Sequence, residues 1–104
     1  MVTSQEVGQA GEEIVALALV EKGYRTNVDT KGPGSTDIEA LGANATLLVQ
    51  VKTALFPATP AGLSSNEERN IKSRASRLGF EAWEARLQVN QGLHLVGAIG
   101  WRRV

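Results

Sequence analysis

The stretch GPGSTDIEALGANATLLVQVK, residues 32–52, decides how this chain folds. Two glycines and a proline make its opening a loop. Residues 36–41 and 46–52 then read as strands joined by the turn Gly42-Ala43-Asn44-Ala45. The second strand, TLLVQVK, is apolar until its end, which suits a central strand covered on both faces. Centring the turn on the Ala43–Asn44 bond pairs Asp37 with Gln50 on one face of the hairpin. Lys52 lies two residues beyond Gln50 and therefore shares that face. A slip of one residue would carry Gln50 and Lys52 to the opposite face from Asp37.

Three polar groups thus converge at one end of an otherwise apolar hairpin. Singly, Asp37 also suits a turn cap and Lys52 an ordinary strand-end lysine. Together they suit phosphodiester hydrolysis. A carboxylate (Asp37) and an amide oxygen (Gln50) can hold a divalent cation, which polarises a phosphate and acidifies water. A lysine beside them can orient that water and offset developing charge. The chain has no cysteine and one histidine, so a metal here must be held by oxygen. Oxygen ligands favour a hard cation, Mg²⁺ or Mn²⁺.

Upstream, residues 4–22 have the apolar spacing of a helix, with Ser4 as its expected cap and Gly23 closing it. Val7, Ala10, Ile14, Leu17 and Ala18 form the expected core stripe. Gly8, Glu12 and Ala16 form a second lane, small enough on either side of the carboxylate to lie close against a sheet. Residues 24–28 read as a short strand. Downstream, a loop with two prolines leads to a second helix over residues 66–78, capped by Ser65, with Ile71, Ala75 and Leu78 as its apolar side. Two final strands flank the turn Asn90-Gln91-Gly92, with His94 packed in the second and Trp83 and Trp101 as core or interface anchors. The order is α-β-β-β-α-β-β: an α/β sandwich with a mixed central sheet flanked by helices.

With 104 residues the chain is read as one domain, 1–104. Its formal charge is zero, but unevenly spread. Residues 1–65 hold four Lys/Arg against seven Asp/Glu, and residues 66–104 hold seven against four. An acidic half able to hold a metal and a basic half able to hold phosphates suit a nuclease. The basic candidates are Arg69, Lys72, Arg74 and Arg77 on the second helix, with Lys31 in the loop before Asp37. The opening residues have no basic leader followed by an apolar run, and no apolar stretch spans a bilayer, so we expect a cytoplasmic protein without membrane association. Leu55 and Phe56, just after the polar strand end, are candidate contacts of a homodimer.

Residues 32–52 resemble the core of the PD-(D/E)xK nuclease superfamily: an Asp opening one strand, a short turn, then an apolar strand ending in (E/Q)xK. GQAGEEIVALALVEKGY, residues 8–24, resembles the first helix of archaeal-type Holliday-junction resolvases. The resemblance implies a restriction-endonuclease-like fold and a metal site in which Glu12 joins Asp37, Gln50 and the backbone carbonyl of Val51. Glu13 is the reserve if the helix phase is off by one. Thr36 stands where the superfamily's proline would be, and Gln50 where the resolvases carry Glu. The glutamine is similar to the QxK variant of Mrr-type restriction enzymes. It removes one charge from the site, so Gln50→Glu is expected to strengthen cation binding. The resemblance implies a Mg²⁺- or Mn²⁺-dependent endonuclease acting on branched or duplex DNA, structure-selective in the manner of Holliday-junction resolvases. An Mrr-like or mobile-element endonuclease, or a nucleic-acid-binding module on a decayed nuclease fold, are the alternatives.

Overall fold

A computed structural model of the chain describes residues 1–29 and 37–104, leaving aside the side chains of Asp29 and Asp37. Seven elements follow in the expected order: α1 (Ser4–Glu21), β1 (Arg25–Asp29), β2 (Asp37–Leu41), β3 (Thr46–Leu55), α2 (Ser65–Leu78), β4 (Glu81–Val89) and β5 (Leu95–Arg103). The five strands form one sheet in sequence order. All neighbours are antiparallel except β3 and β4, which run parallel and are joined by the crossover through α2. No helix among the described residues is long and apolar enough to cross a membrane.

The hairpin register is the one the turn centre predicts: Asp37 pairs with Gln50 and Leu41 with Thr46. Gly42 N–H donates to the Ala45 carbonyl across the turn at 3.0 Å. β3 runs three residues further than expected, because its parallel pairing with β4 continues to Leu55–Val89. It is covered on both faces. Its odd-numbered residues pack with Val15 and Leu19 of α1, together with Ile38, Ala85 and Leu87. On the even-numbered face Leu48 packs with Ile71 and Ala75 of α2 and with Ala82.

Each helix is capped one residue earlier than expected. Thr3 and Ser64 are the N-caps, and both complete a capping box, with Glu6 and Glu67 respectively. A hydroxyl three residues before a glutamate satisfies two otherwise orphaned amides; Ser4 has Val7 at that spacing and cannot do so, whereas Ser65 has Glu68 there and the chain nonetheless uses Ser64. Gly79 ends α2 in the left-handed conformation at φ 73°. Leu78, expected inside, is 57% exposed. His94 lies exposed in the turn before β5 rather than packed in a strand.

The core face of α1 is rotated relative to its expected stripe. Val7, Gly11, Val15 and Leu19 are the buried positions, and Leu17 is 59% exposed. The close approach to the sheet is made by Gly11, not by the Gly8–Glu12–Ala16 lane. A Cβ built on Gly11 would overlap the Thr53 side chain, whereas one on Gly8 would meet nothing within 4 Å. A hydrophobic pattern cannot register a glycine as a core residue, and this one sets the helix phase.

On the α2 face, Glu84 of β4 is fully buried and ionised among three donors. Arg86 Nε donates to its Oε1 at 2.8 Å, Arg102 Nε to the same oxygen at 3.0 Å, and the Leu63 backbone N–H to Oε2 at 2.7 Å. Burial pushes its carboxyl up, but Arg102, the Leu63 amide and Arg86 together outweigh burial and hold it below the usual value. Arg102 is correspondingly raised by its hydrogen bond to Glu84. One carboxylate thereby fastens β5 and the segment leading into α2 to the middle of the sheet.

Gly11→Val should destabilise the fold by about 1–3 kcal/mol through overpacking against Thr53, while Gly8→Ala should stabilise it by about 0.5–1 kcal/mol through helix propensity. Urea unfolding checks both; equal effects at the two glycines would contradict the phase of α1. Because the folded carboxyl of Glu84 titrates below the unfolded value of about 4.3, its contribution is complete above that pH and is lost as pH falls through the folded value. Glu84→Gln should cost about 1–3 kcal/mol at neutral pH and flatten the loss of stability below about pH 4. An unaltered acid limb would contradict the ionised network.

Candidate active site

The apolar run of β3 ends where its even-numbered residues become Gln50 and Lys52. The strand pairing then lines up a polar row across the sheet on the α2 face. Asp37 of β2 lies opposite Gln50 of β3, Gln50 beside Glu84 of β4, and Glu84 opposite Arg102 of β5. Lys52 and Arg86 form the next row, side by side. Val51 is half-buried where the described β2 ladder ends.

The N-terminus of α2 roofs this row and brings in a residue that no sequence pattern marks as part of a site. Glu67 Oε2 accepts from Lys52 Nζ at 2.6 Å and from Gln50 Nε2 at 3.1 Å. Its other oxygen, Oε1, accepts from the Ser64 backbone N–H at 3.0 Å, closing the capping box. Lys52 first, then the Ser64 amide, hold the Glu67 carboxyl below its usual range. Gln50 is 4% exposed and Lys52 half-buried, so this pair of contacts sits in a partly dry recess. An ionised carboxylate only accepts hydrogen bonds, so the Gln50 amide must turn its NH2 towards Glu67. Its carbonyl oxygen then faces elsewhere, with no hydrogen bond among the described residues.

The donors fit a hard cation: the Gln50 amide oxygen, and Asp37 by its place in the register. Among the described residues no group of three or more His, Cys, Asp or Glu could by itself hold a metal. A site here therefore depends on Asp37, whose side chain is outside the described atoms. Glu12 is half-buried on α1, the helix that covers the odd-numbered face, opposite the face of Gln50 and Lys52. It has no partner among the described residues, and Glu13 beside it is exposed.

Lys31 lies outside the described residues. Of the basic helix, Arg69, Lys72 and Arg77 are exposed and Arg74 is half-buried. Arg69 bonds Asn66 Oδ1 at 3.3 Å, and Lys72 lies 3.7 Å from Glu68. Arg102 also approaches Glu68, at 3.8 Å. Glu67, Glu84, Arg86 and Arg102 flank the site without having been expected there. Glu67 carries a local signal, the Ser64-x-x-Glu67 capping box, but that spacing reports only a helix start. The i, i+2 spacing of Glu84 and Arg86 does place them on one face, yet only the β3–β4 pairing shows what they stand beside.

No protein-family model and no curated protein matches this chain. Among solved structures its fold is similar to that of Archaeoglobus fulgidus Hjc, a Holliday junction resolvase from an archaeal hyperthermophile. The TM-score is 0.68, the match covers 92% of this chain and 71% of the Hjc chain, and sequence identity is 22%. The chain therefore has an Hjc-like α/β architecture, with two helices around a mixed five-stranded sheet.

Proposed function

We propose that this chain is a divalent-metal-dependent endonuclease acting on DNA. The observation that supports it most is the pairing of Asp37 with Gln50, with Lys52 next along the same face, where the polar row crosses a resolvase-like sheet. Asp37 and the Gln50 amide oxygen would hold Mg²⁺ or Mn²⁺, with the Val51 carbonyl close by; Glu12, the ligand that the sequence resemblance suggests, sits on the helix of the opposite face and would have to reach the cation past the strand ends. When bound, the cation would polarise the scissile phosphate and acidify the attacking water. Lys52 would orient that water and offset charge developing on the phosphate. Its ammonium is already steered by Glu67, which limits the conformations it must give up.

Because the fold neighbour is a Holliday junction resolvase, branched DNA is the first substrate we assign, cut by a symmetric homodimer. Exposed Phe56 and half-buried Leu55, just past the site, suit the dimer contact. The exposed Arg69, Lys72 and Arg77 would meet phosphates. An Mrr-like or mobile-element endonuclease is the second reading within this chemistry, and Gln50 favours it. A nucleic-acid-binding module without cleavage activity is favoured by the same neutral Gln50, which leaves the site short of one charge.

The purified protein, incubated with four-way junction, flap, duplex and single-stranded DNA in Mg²⁺, Mn²⁺ or EDTA, should cut the junction only with metal. Asp37→Asn should lower the rate at least about 100-fold while the protein still binds DNA, and Lys52→Ala about 100- to 1,000-fold. Cleavage by Asp37→Asn at the parent rate would refute the site. A parent inert on all four substrates with both metals would leave the binding-module reading in its place.

Replacing Arg69, Lys72 and Arg77 with alanine should weaken DNA binding. The slope of log affinity against log salt should fall by about 0.9 for each phosphate that the variant no longer neutralises. An unchanged slope would move the DNA path away from α2.

A further inference from the structure

We infer that Glu67 is a positioning residue which selects the orientation of the Gln50 amide, turning its single carbonyl oxygen towards the cation, while holding the Lys52 ammonium in place. The inference rests on the nuclease reading above and explains how a glutamine can serve where a carboxylate is usual. A carboxylate at position 50 would present two equivalent oxygens and need no orienting. An amide presents one oxygen and one NH2 group, and flipping it would aim two N–H donors at a cation. Something must choose between these states. Gln50 Nε2 lies 3.1 Å from Glu67 Oε2, and the flipped amide would set oxygen against oxygen at that distance. Glu67 cannot rotate away to relieve this. Lys52 Nζ holds the same oxygen at 2.6 Å, and the Ser64 N–H holds the other at 3.0 Å.

Both Glu67 oxygens therefore accept, and neither can be exchanged for an NH2 group. An amide at position 67 could serve the cap or the site, but not both. Glu67→Gln then has a defined consequence. The bias on the Gln50 amide weakens, and the cation meets a mixture of orientations. Residues that orient metal ligands typically change metal affinity or activity about 10- to 100-fold when altered.

The test is a cycle of Mn²⁺ affinities, measured without DNA from the electron paramagnetic resonance signal of the free ion. In the parent background, Glu67→Gln should weaken Mn²⁺ binding about 10- to 100-fold. In a Gln50→Glu background, where the carboxylates at positions 50 and 67 would meet oxygen to oxygen, the same change should relieve that repulsion and leave Mn²⁺ binding as tight or tighter. Ser64→Ala, which removes the capping hydroxyl but leaves the contacts to Gln50 and Lys52, should lower stability and leave Mn²⁺ affinity alone. Equal losses from Glu67→Gln in the two backgrounds would show that Glu67 acts only through its charge or through the fold, and would overturn the inference while leaving the nuclease reading intact. So would a Ser64→Ala loss matching that of Glu67→Gln. A parent that binds no Mn²⁺ would overturn both readings together.

Discussion

β3 is enclosed on both faces, so any polar side chain near its middle must find partners inside the protein. That requirement organises the rest of the α2 face. Leu47, Leu48 and Val49 pack into cores on alternate sides, and Gln50 follows them at 4% exposure. A buried polar group without partners costs about 1–3 kcal/mol. Glu67 supplies the partner for the Gln50 amide from the first turn of α2. The same carboxylate caps its own helix and pairs with Lys52. Because one group performs all three roles, the helix start, the end of the central strand and the candidate ligand are coupled mechanically.

Glu84 does for the neighbouring strand what Glu67 does for β3. It is buried, holds two arginines from β4 and β5, and accepts the amide of Leu63 just ahead of α2. The guanidinium groups remain part-exposed while their partner is dry, so cationic charge is presented beside the site on a rigid support. The region is therefore a seam of alternating charge rather than an open acidic pocket. That balance explains how a chain of zero net charge can place cations next to a candidate metal site without a basic surface overall.

Much of this is legible in the sequence where the determinants are local. The Gly42–Ala45 turn fixes its own centre, and from that centre the Asp37–Gln50 pairing follows by counting. The element order follows from periodicity and from Gly23 and Gly79. The phase of α1 is not legible, because its closest contact is made by Gly11, a residue with no side chain to count. Both caps are displaced by one, since two adjacent hydroxyl residues stand at each helix start; a glutamate three residues on singles out Thr3 over Ser4, but Ser64 and Ser65 each have one. Glu67 reads as a first-turn acid and nothing more. Its contacts to Gln50 and Lys52 depend on where the crossover returns α2 over the sheet, which no local pattern encodes. The roles given to Glu12, Lys31 and the Asp37 side chain rest on the sequence and its resemblance alone.

A reactive site on the α2 face, between Asp37 and Gln50 and next to Lys52, is the claim on which the rest depends. A crystal structure with Mn²⁺ located by its anomalous scattering tests it most directly. The expected result is a single strong peak at about 2.0–2.3 Å from the Gln50 carbonyl oxygen and from an Asp37 oxygen, with the Gln50 NH2 still on Glu67. A peak bound by other residues and remote from Gln50, or a Gln50 amide turned with its nitrogen to the metal, would contradict it.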